Sequence, residues 1–282
     1  METIRITEDN IDEYEDVIDA DAAENIGREY FRGIAIQKDE DSEPEATLIW
    51  EYKNLEEDTD TEAEITWCSI KNQKIGKELF DAYTAEIEDC ETARSFYELP
   101  CGEELLKKTI SGAGFTAEEV ESRDVIVTVG ELATNPIVKR KTPPYITGIG
   151  ELMVRQFRKG ITNCVFHGRR GLLEDLEFLP MSWYDEDVSC CVQTDGKVNG
   201  FLLVNKTANG DLVVDFLFAL EPDARVNLVH MIRYAINAAV EKYPEDTKVI
   251  LRRHNEMTRA LIEKLFPGKT GETVLAGERR EG

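Results

Sequence analysis

The sequence is short of several things, and each scarcity removes a class of protein. It has three histidines, His167, His230 and His254, and no H-x-x-x-H or H-E-x-x-H spacing joins any two of them, so no metal site is expected. Its six cysteines, Cys68, Cys90, Cys101, Cys164, Cys190 and Cys191, contain no C-x-x-C pair. In a chain of 282 residues they read as reduced thiols in a cytosolic setting, small buried residues rather than a disulfide framework. No apolar run approaches the roughly 18–20 residues of a membrane span. The opening Met1-Glu2-Thr3-Ile4-Arg5 lacks the basic-then-apolar order of a signal peptide. A cytoplasmic protein without a membrane partner is expected. G-x-S-x-G and G-x-x-x-x-G-K-[ST] are both missing.

Basic residues are scarce in one part only. Residues 1–132 hold 37 acidic and 12 basic side chains; the rest hold 20 and 21. The formal net charge of −24 therefore sits in the first part. Nucleic-acid binding there is not expected, because phosphate neutralisation needs clustered Lys and Arg. An acidic face would instead attract a cationic partner.

Periodicity divides the first part into short strands and helices. Strands are expected at 3–7, 32–37, 46–52, 63–70, 93–99 and 124–129, and helices over 8–21, 76–89 and 103–110. The 76–89 helix is amphipathic through Leu79, Phe80, Tyr83 and Ile87. An acidic loop is read over 55–61. Around 133–145 the prolines Pro136, Pro143 and Pro144 and the cluster Lys139-Arg140-Lys141 read as a linker. Beyond it, helices are expected at 147–159, 172–179, 223–242 and 256–266, and strands at 189–194, 198–206, 212–220, 248–253 and 273–276. Asp195-Gly196 and Asn209-Gly210 are hairpin signals. Each part ends as strand, helix, strand, helix, strand, which is an α/β arrangement with antiparallel hairpins ahead of a parallel crossover.

One turn stands out chemically. Lys71-Asn72-Gln73-Lys74-Ile75-Gly76-Lys77 follows a strand and opens a helix, so its amides and the helix dipole can meet an anion. The order of elements and this turn resemble the GNAT family of acetyl-CoA-dependent N-acetyltransferases, twice over. The family's pyrophosphate turn reads Q/R-x-x-G-x-G/A. Here Lys71-x-x-Lys74-x-Gly76 occupies it, with Lys71 for Gln or Arg and Lys74 for the first glycine. A side chain at Lys74 either crowds the pyrophosphate or binds it. Gly112-Ala113-Gly114-Phe115 resembles the end of the following helix. In the second part, Pro222 and Arg225 fit the pattern, while Leu228 and His230 replace its small residues; Asn255 fits the pantetheine-side helix, where the first part has Glu103.

The resemblance implies a mixed α/β fold: tandem acyl-CoA N-acyltransferase-like domains, each a mixed sheet flanked by helices, at 1–132 and 146–282 with a linker at 133–145. It implies acetyl-CoA as co-substrate, held by Ile70, Lys71, Lys74, Ile75, Gly76, Lys77 and Asn255, and an amine acceptor, small molecule or peptide; the acidic excess of the first part favours a cationic one. Glu64, taken to share strand parity with Thr66 where the family often has Glu, is the candidate base, and Asp215 its counterpart. The family's tyrosine acid falls on Ile110 and Ile262, which donate no proton. Cys68 as nucleophile lacks an adjoining base. The alternative is a catalytically inactive GNAT-like binding or regulatory protein.

Overall fold

A computed structural model describes the chain apart from residues 40–41, 54–59, 89, 103, 168–174, 221, 254–255 and 282. Its contacts divide into two units, Met1–Ser122 with Glu272–Gly282, and Arg123–Gly271. Among the described residues no helix is long and apolar enough to cross a membrane.

The first unit runs β1 (Glu2–Ile6), α1 (Ala20–Ala23), β2 (Phe31–Gln37), β3 (Ala46–Lys53), β4 (Glu62–Ile70), α2 (Gln73–Glu88), β5 (Arg94–Pro100), α3 (Glu104–Gly112) and β6 (Glu118–Glu121). The second runs β7 (Asp124–Thr128), α4 (Val129–Thr134), β8 (Ile146–Gly148), α5 (Val154–Phe166), β9 (Cys190–Thr194), β10 (Lys197–Lys206), β11 (Leu212–Ala219), α6 (Ala224–Lys242), β12 (Lys248–Arg252) and α7 (Glu256–Leu265). The last strand, β13 (Thr273–Arg280), belongs to the first sheet.

The sheets are ordered β1-β2-β3-β4-β5-β13-β6 and β7-β12-β11-β10-β9-β8. In each, one pair is parallel, β4 with β5 and β11 with β12, and a helix supplies the crossover. Each sheet is covered on both faces, so strand residues of both parities are buried. On the first, Ile34, Leu48, Trp50 and Ile65 meet Leu79, Phe80 and Tyr83 of α2, while Ile6, Ala35 and Ile49 meet Tyr14, Ile18 and Ile26 on the other side. On the second, Cys190 faces the α6 layer and Cys191 the α5 layer, opposite faces as adjacent strand residues must be.

The boundaries differ from the expected 132 and 146. Asp124–Thr128 pairs along its whole length with β12, and Thr273–Arg280 pairs with both β5 and β6. The first of these strands thus opens the second unit, and the second returns the chain to the first sheet from beyond that unit. Strand propensity identifies such segments but carries nothing about their partners. The 133–145 stretch is not a free linker: α4 reaches Thr134, a 3₁₀ turn spans Pro136–Lys139, and the buried Arg233 of α6 donates to the carbonyls of Ile137 and Lys141.

Three expected helices are corrected. Residues 8–21 form a 3₁₀ turn at Ile11–Tyr14 and only the start of α1, since Asp9, Asp12, Glu13 and Asp16 would repel along a helix. Residues 147–153 contain the end of β8 and a 3₁₀ turn, and the helix begins at Val154. Of 172–179, residues 172–174 lie outside the described residues and 175–178 form turns that bury Leu176, with the buried Leu179 following them. The sequence reading missed β6, whose four residues are all exposed and give no alternation. The acidic loop at 55–61 lies mostly outside the described residues. The Asp195-Gly196 hairpin has positive φ at both residues, 51° and 72°, as a type I′ turn requires.

Deleting residues 272–282 removes the strand between β5 and β6. The expected outcome, read by amide hydrogen exchange, is loss of slow exchange in β5 and β6 while β10 and β11 remain protected; equal protection in both sheets would contradict the pairing.

Candidate functional site

In the first unit β4 and β5 pair at four positions only, from Glu62 with Arg94 to Ile65 with Tyr97. Beyond that the two strands have no ladder. The next residue, Thr66, is a bulge: Ile49 pairs with Trp67 and Trp50 with Ile65, leaving Thr66 without an opposite number on β3. The bulge resets the alternation. Ala63 and Ile65 join the α2-side core before it, and Cys68 and Ile70 pack against that core after it. The second unit repeats this. The β11–β12 ladder ends at Val213 with Ile250, and Asp215 is skipped between Val214 and Phe216.

The bulge corrects the parity expected of the carboxylates. Glu64 shares its face with Trp67, on the side opposite α2. Asp215, buried at 3% exposure, matches Thr66 at the bulge; the counterpart of Glu64 is Val213. The two candidate bases therefore do not occupy equivalent places.

Glu64 lies opposite Glu51 in the β3–β4 register. Lys53, two residues along β3 and so on the same face, places its ammonium against Glu51 Oε2 and 3.4 Å from Glu64 Oε2. Glu51 is buried, with a side chain 6% exposed, and its Oε1 has no hydrogen-bond partner among the described residues. Burial pushes the Glu51 carboxyl above the usual carboxylate range; Lys53 and Arg28 pull it back and Glu64 adds to the rise. Neither Glu51 nor Lys53 was singled out by sequence. The cue was there in retrospect, a Glu-x-Lys in an apolar strand, but its pairing with Glu64 depends on register.

The lysine turn opens α2. The Lys71 amide donates to the Glu45 carbonyl at 3.0 Å, and the Ile75 amide to Asn72 Oδ1 at 3.1 Å, an N-cap the sequence reading passed over. The Gly76 amide donates within the helix to the Asn72 carbonyl. The amides of Gln73 and Lys74 are first-turn donors with no acceptor among the described residues, the pair that remains available to an anion. Lys71, Lys74 and Lys77 are exposed and face Glu43, Glu78 and Asp81 at 3.7, 3.9 and 2.5 Å. Solvent-exposed pairs of this kind exchange partners readily. The side chains of Ile70 and Ile75 belong to the core rather than to the turn's outer surface.

Gly76 has a different reason to be glycine from the one the turn suggested. A Cβ there would lie 2.3 Å from Thr109 Cγ2, so the residue lets α2 and α3 pack closely. Burial pushes the Cys68 thiol up to about 12, which removes it as a nucleophile at neutral pH. Ile110 and Ile262 are both buried apolar residues. Asn255 lies outside the described residues. His230 accepts from the Arg233 guanidinium at 3.0 Å, and burial with that charge lowers its pKa, so it is a packed, neutral ring. A groove of about 550 Å³ in the second unit is lined by Gly148, Glu151, Asp187, Tyr234 and Lys242; it lies along the C-terminal half of α6, away from that helix's start. Among the described residues no three metal-ligating side chains converge.

The fold is similar to that of solved structures. A tandem GNAT protein from the clavulanic acid biosynthesis pathway aligns over 100% of this chain and 98% of its own, with TM-score 0.61 and 8% identity. The fold is that of a tandem GNAT protein. FemX aligns over 100% of this chain and 98% of its own at TM-score 0.55 and 12% identity. A GCN5-related N-acetyltransferase from Sphaerobacter thermophilus aligns over 99% and 96%, at 0.54 and 12%. No protein-family model matches the chain, and no curated protein matches its sequence. At these identities the likeness is one of architecture.

Gly76→Ala is expected to lower stability by about 1–2 kcal/mol, the clash with Thr109 outweighing the helix preference for alanine. Thr109→Ser, which keeps the hydroxyl that bonds the Leu105 carbonyl and removes Cγ2, should recover most of it in thermal unfolding. A neutral Gly76→Ala would contradict the packing role.

Proposed function

We propose that the chain is an acyl-CoA-dependent N-acyltransferase, moving an acetyl group from acetyl-CoA to an amine by direct attack, with the first unit as the donor-binding half. What supports this is the end of the β4–β5 ladder at Ile65 and Tyr97 beside the Thr66 bulge, with the Glu64 carboxylate one residue inside the last pair. Peptide groups of β4 past Ile65 have no β5 partner, and such an amide is suited to bind an oxyanion developing on an acyl carbonyl.

The donor site would be the opening of α2. The Gln73 and Lys74 amides, with Lys71, Lys74 and Lys77, suit a diphosphate. When bound, acetyl-CoA supplies a thioester activated toward attack. Glu64 takes the proton from the attacking ammonium, so that the nitrogen lone pair is available. With Ile110 and Ile262 at the family's tyrosine positions, the departing thiolate takes its proton from water. The charge of residues 1–132 favours a cationic acceptor such as a polyamine or a basic peptide. Asp215 would serve the second unit only if that unit binds a donor of its own.

One observation favours a second reading, a GNAT-fold binding or regulatory protein without catalysis. The Lys71 and Ile75 amides are already engaged by Glu45 and Asn72, which leaves two donors where a full phosphate cradle has more.

Calorimetry with acetyl-CoA separates the readings. The expected result is micromolar binding, weakened at least tenfold by Lys71→Glu with Lys74→Glu. Glu64→Gln should leave that affinity unchanged and lower kcat/KM for acetyl transfer to spermidine by roughly 10²–10⁴. No heat at millimolar acetyl-CoA would establish the second reading instead.

A further inference from the structure

The Glu51–Lys53–Glu64 cluster deepens the acyl-transfer reading and rests on it. Two carboxylates lie opposite each other on adjacent strands and share one ammonium. That ammonium is nearer Glu51 than Glu64. The second oxygen of Glu51 is buried and has no partner among the described residues, which marks Oε1 as the atom that would receive a proton. The charged groups that act on Glu51 are Arg28 from the segment before β2, Lys53 from β3 and Glu64 from β4, and its β2 neighbour is the apolar Phe31.

We propose that Glu51 is a positioning residue that governs how strongly Lys53 restrains Glu64, and so sets the lower pH bound of catalysis. With Glu51 ionised, Lys53 is held at Oε2 and Glu64 receives the acceptor's proton. One N–H bond of the acceptor ammonium breaks, one O–H bond forms on Glu64, and the electron pair stays on nitrogen. Lys53 and Glu51 exchange no proton in that step. When Glu51 is protonated at Oε1, Lys53 loses its nearest counter-charge and is drawn toward Glu64, which makes Glu64 a poorer base. The sign follows from burial: Glu51 gains its proton at a higher pH than an exposed glutamate, so activity falls while ordinary carboxylates are still ionised.

The test uses the full chain. Carboxyl carbon NMR of glutamate-labelled protein, without donor or acceptor, follows the Glu51 titration. Glu64→Gln removes a like charge and is expected to lower the Glu51 midpoint by about one pH unit; Lys53→Met removes a cation and should raise it by about as much. Midpoints that do not move, or move the same way, overturn the coupling. In acetyl transfer from acetyl-CoA to spermidine, Glu51→Gln should depress kcat at every pH and abolish the acid limb, and Glu51→Asp should restore both. A wild-type chain that shows the coupling yet transfers no acetyl group overturns the acyl-transfer reading and the catalytic purpose of the coupling with it. An acid limb unmoved by Glu51→Gln overturns the role of Glu51 alone.

Discussion

The arrangement of each unit depends on one constraint, a parallel strand pair that is allowed to hydrogen-bond for only part of its length. In the first unit β4 and β5 keep four paired positions, and in the second β11 and β12 keep two. A parallel pair needs a helical crossover, so α2 and α6 are fixed above these strands and their N-termini open where the ladders end. The bulges at Thr66 and Asp215 turn the strands' inward residues over at the same place. Backbone donors, a helix start and side chains of both sheet faces are thereby brought to one end of a strand. That is the physical content of the GNAT fold in this chain.

The two units use this frame unequally. The first keeps a lysine turn, two amides without an acceptor among the described residues and a pair of glutamates around one lysine. The second has Leu228 and a neutral, arginine-bound His230 near the start of α6, and an aspartate at its bulge. The acidic excess of the first unit also concentrates there. Repetition of architecture has therefore not meant repetition of chemistry, and the charge asymmetry read from composition marks the half whose site has the more complete set of polar groups.

The return of the C-terminal strand to the first unit has an energetic consequence. β13 contributes the buried Leu275 to the first core, and β7 contributes Val125 and Val127 to the second. The first sheet is incomplete without β13, which lies past the second unit in the chain, whereas the second takes all its strands from one continuous stretch. Burial of such apolar residues is worth roughly 1.5–3 kcal/mol each, comparable with a sizeable part of a domain's net stability.

Most strands and the helix α2 were legible because their apolar spacing is strong, as at Leu79, Phe80, Tyr83 and Ile87. The mixed α/β class, the repeat of elements, the hairpin at Asp195-Gly196 and the lysine turn needed nothing more than sequence, since each rests on neighbours within a few residues. Register, by contrast, is decided by pairing between distant segments. It put Glu51 and Lys53 beside Glu64, matched Asp215 to Thr66 rather than to Glu64, gave Gly76 a partner in Thr109, gave β7 to the second sheet and sent β13 to a sheet it does not adjoin. Local patterns determined what each segment is; only the tertiary structure decided what it faces, because a bulge of a single residue turns every later side chain of a strand to the opposite face.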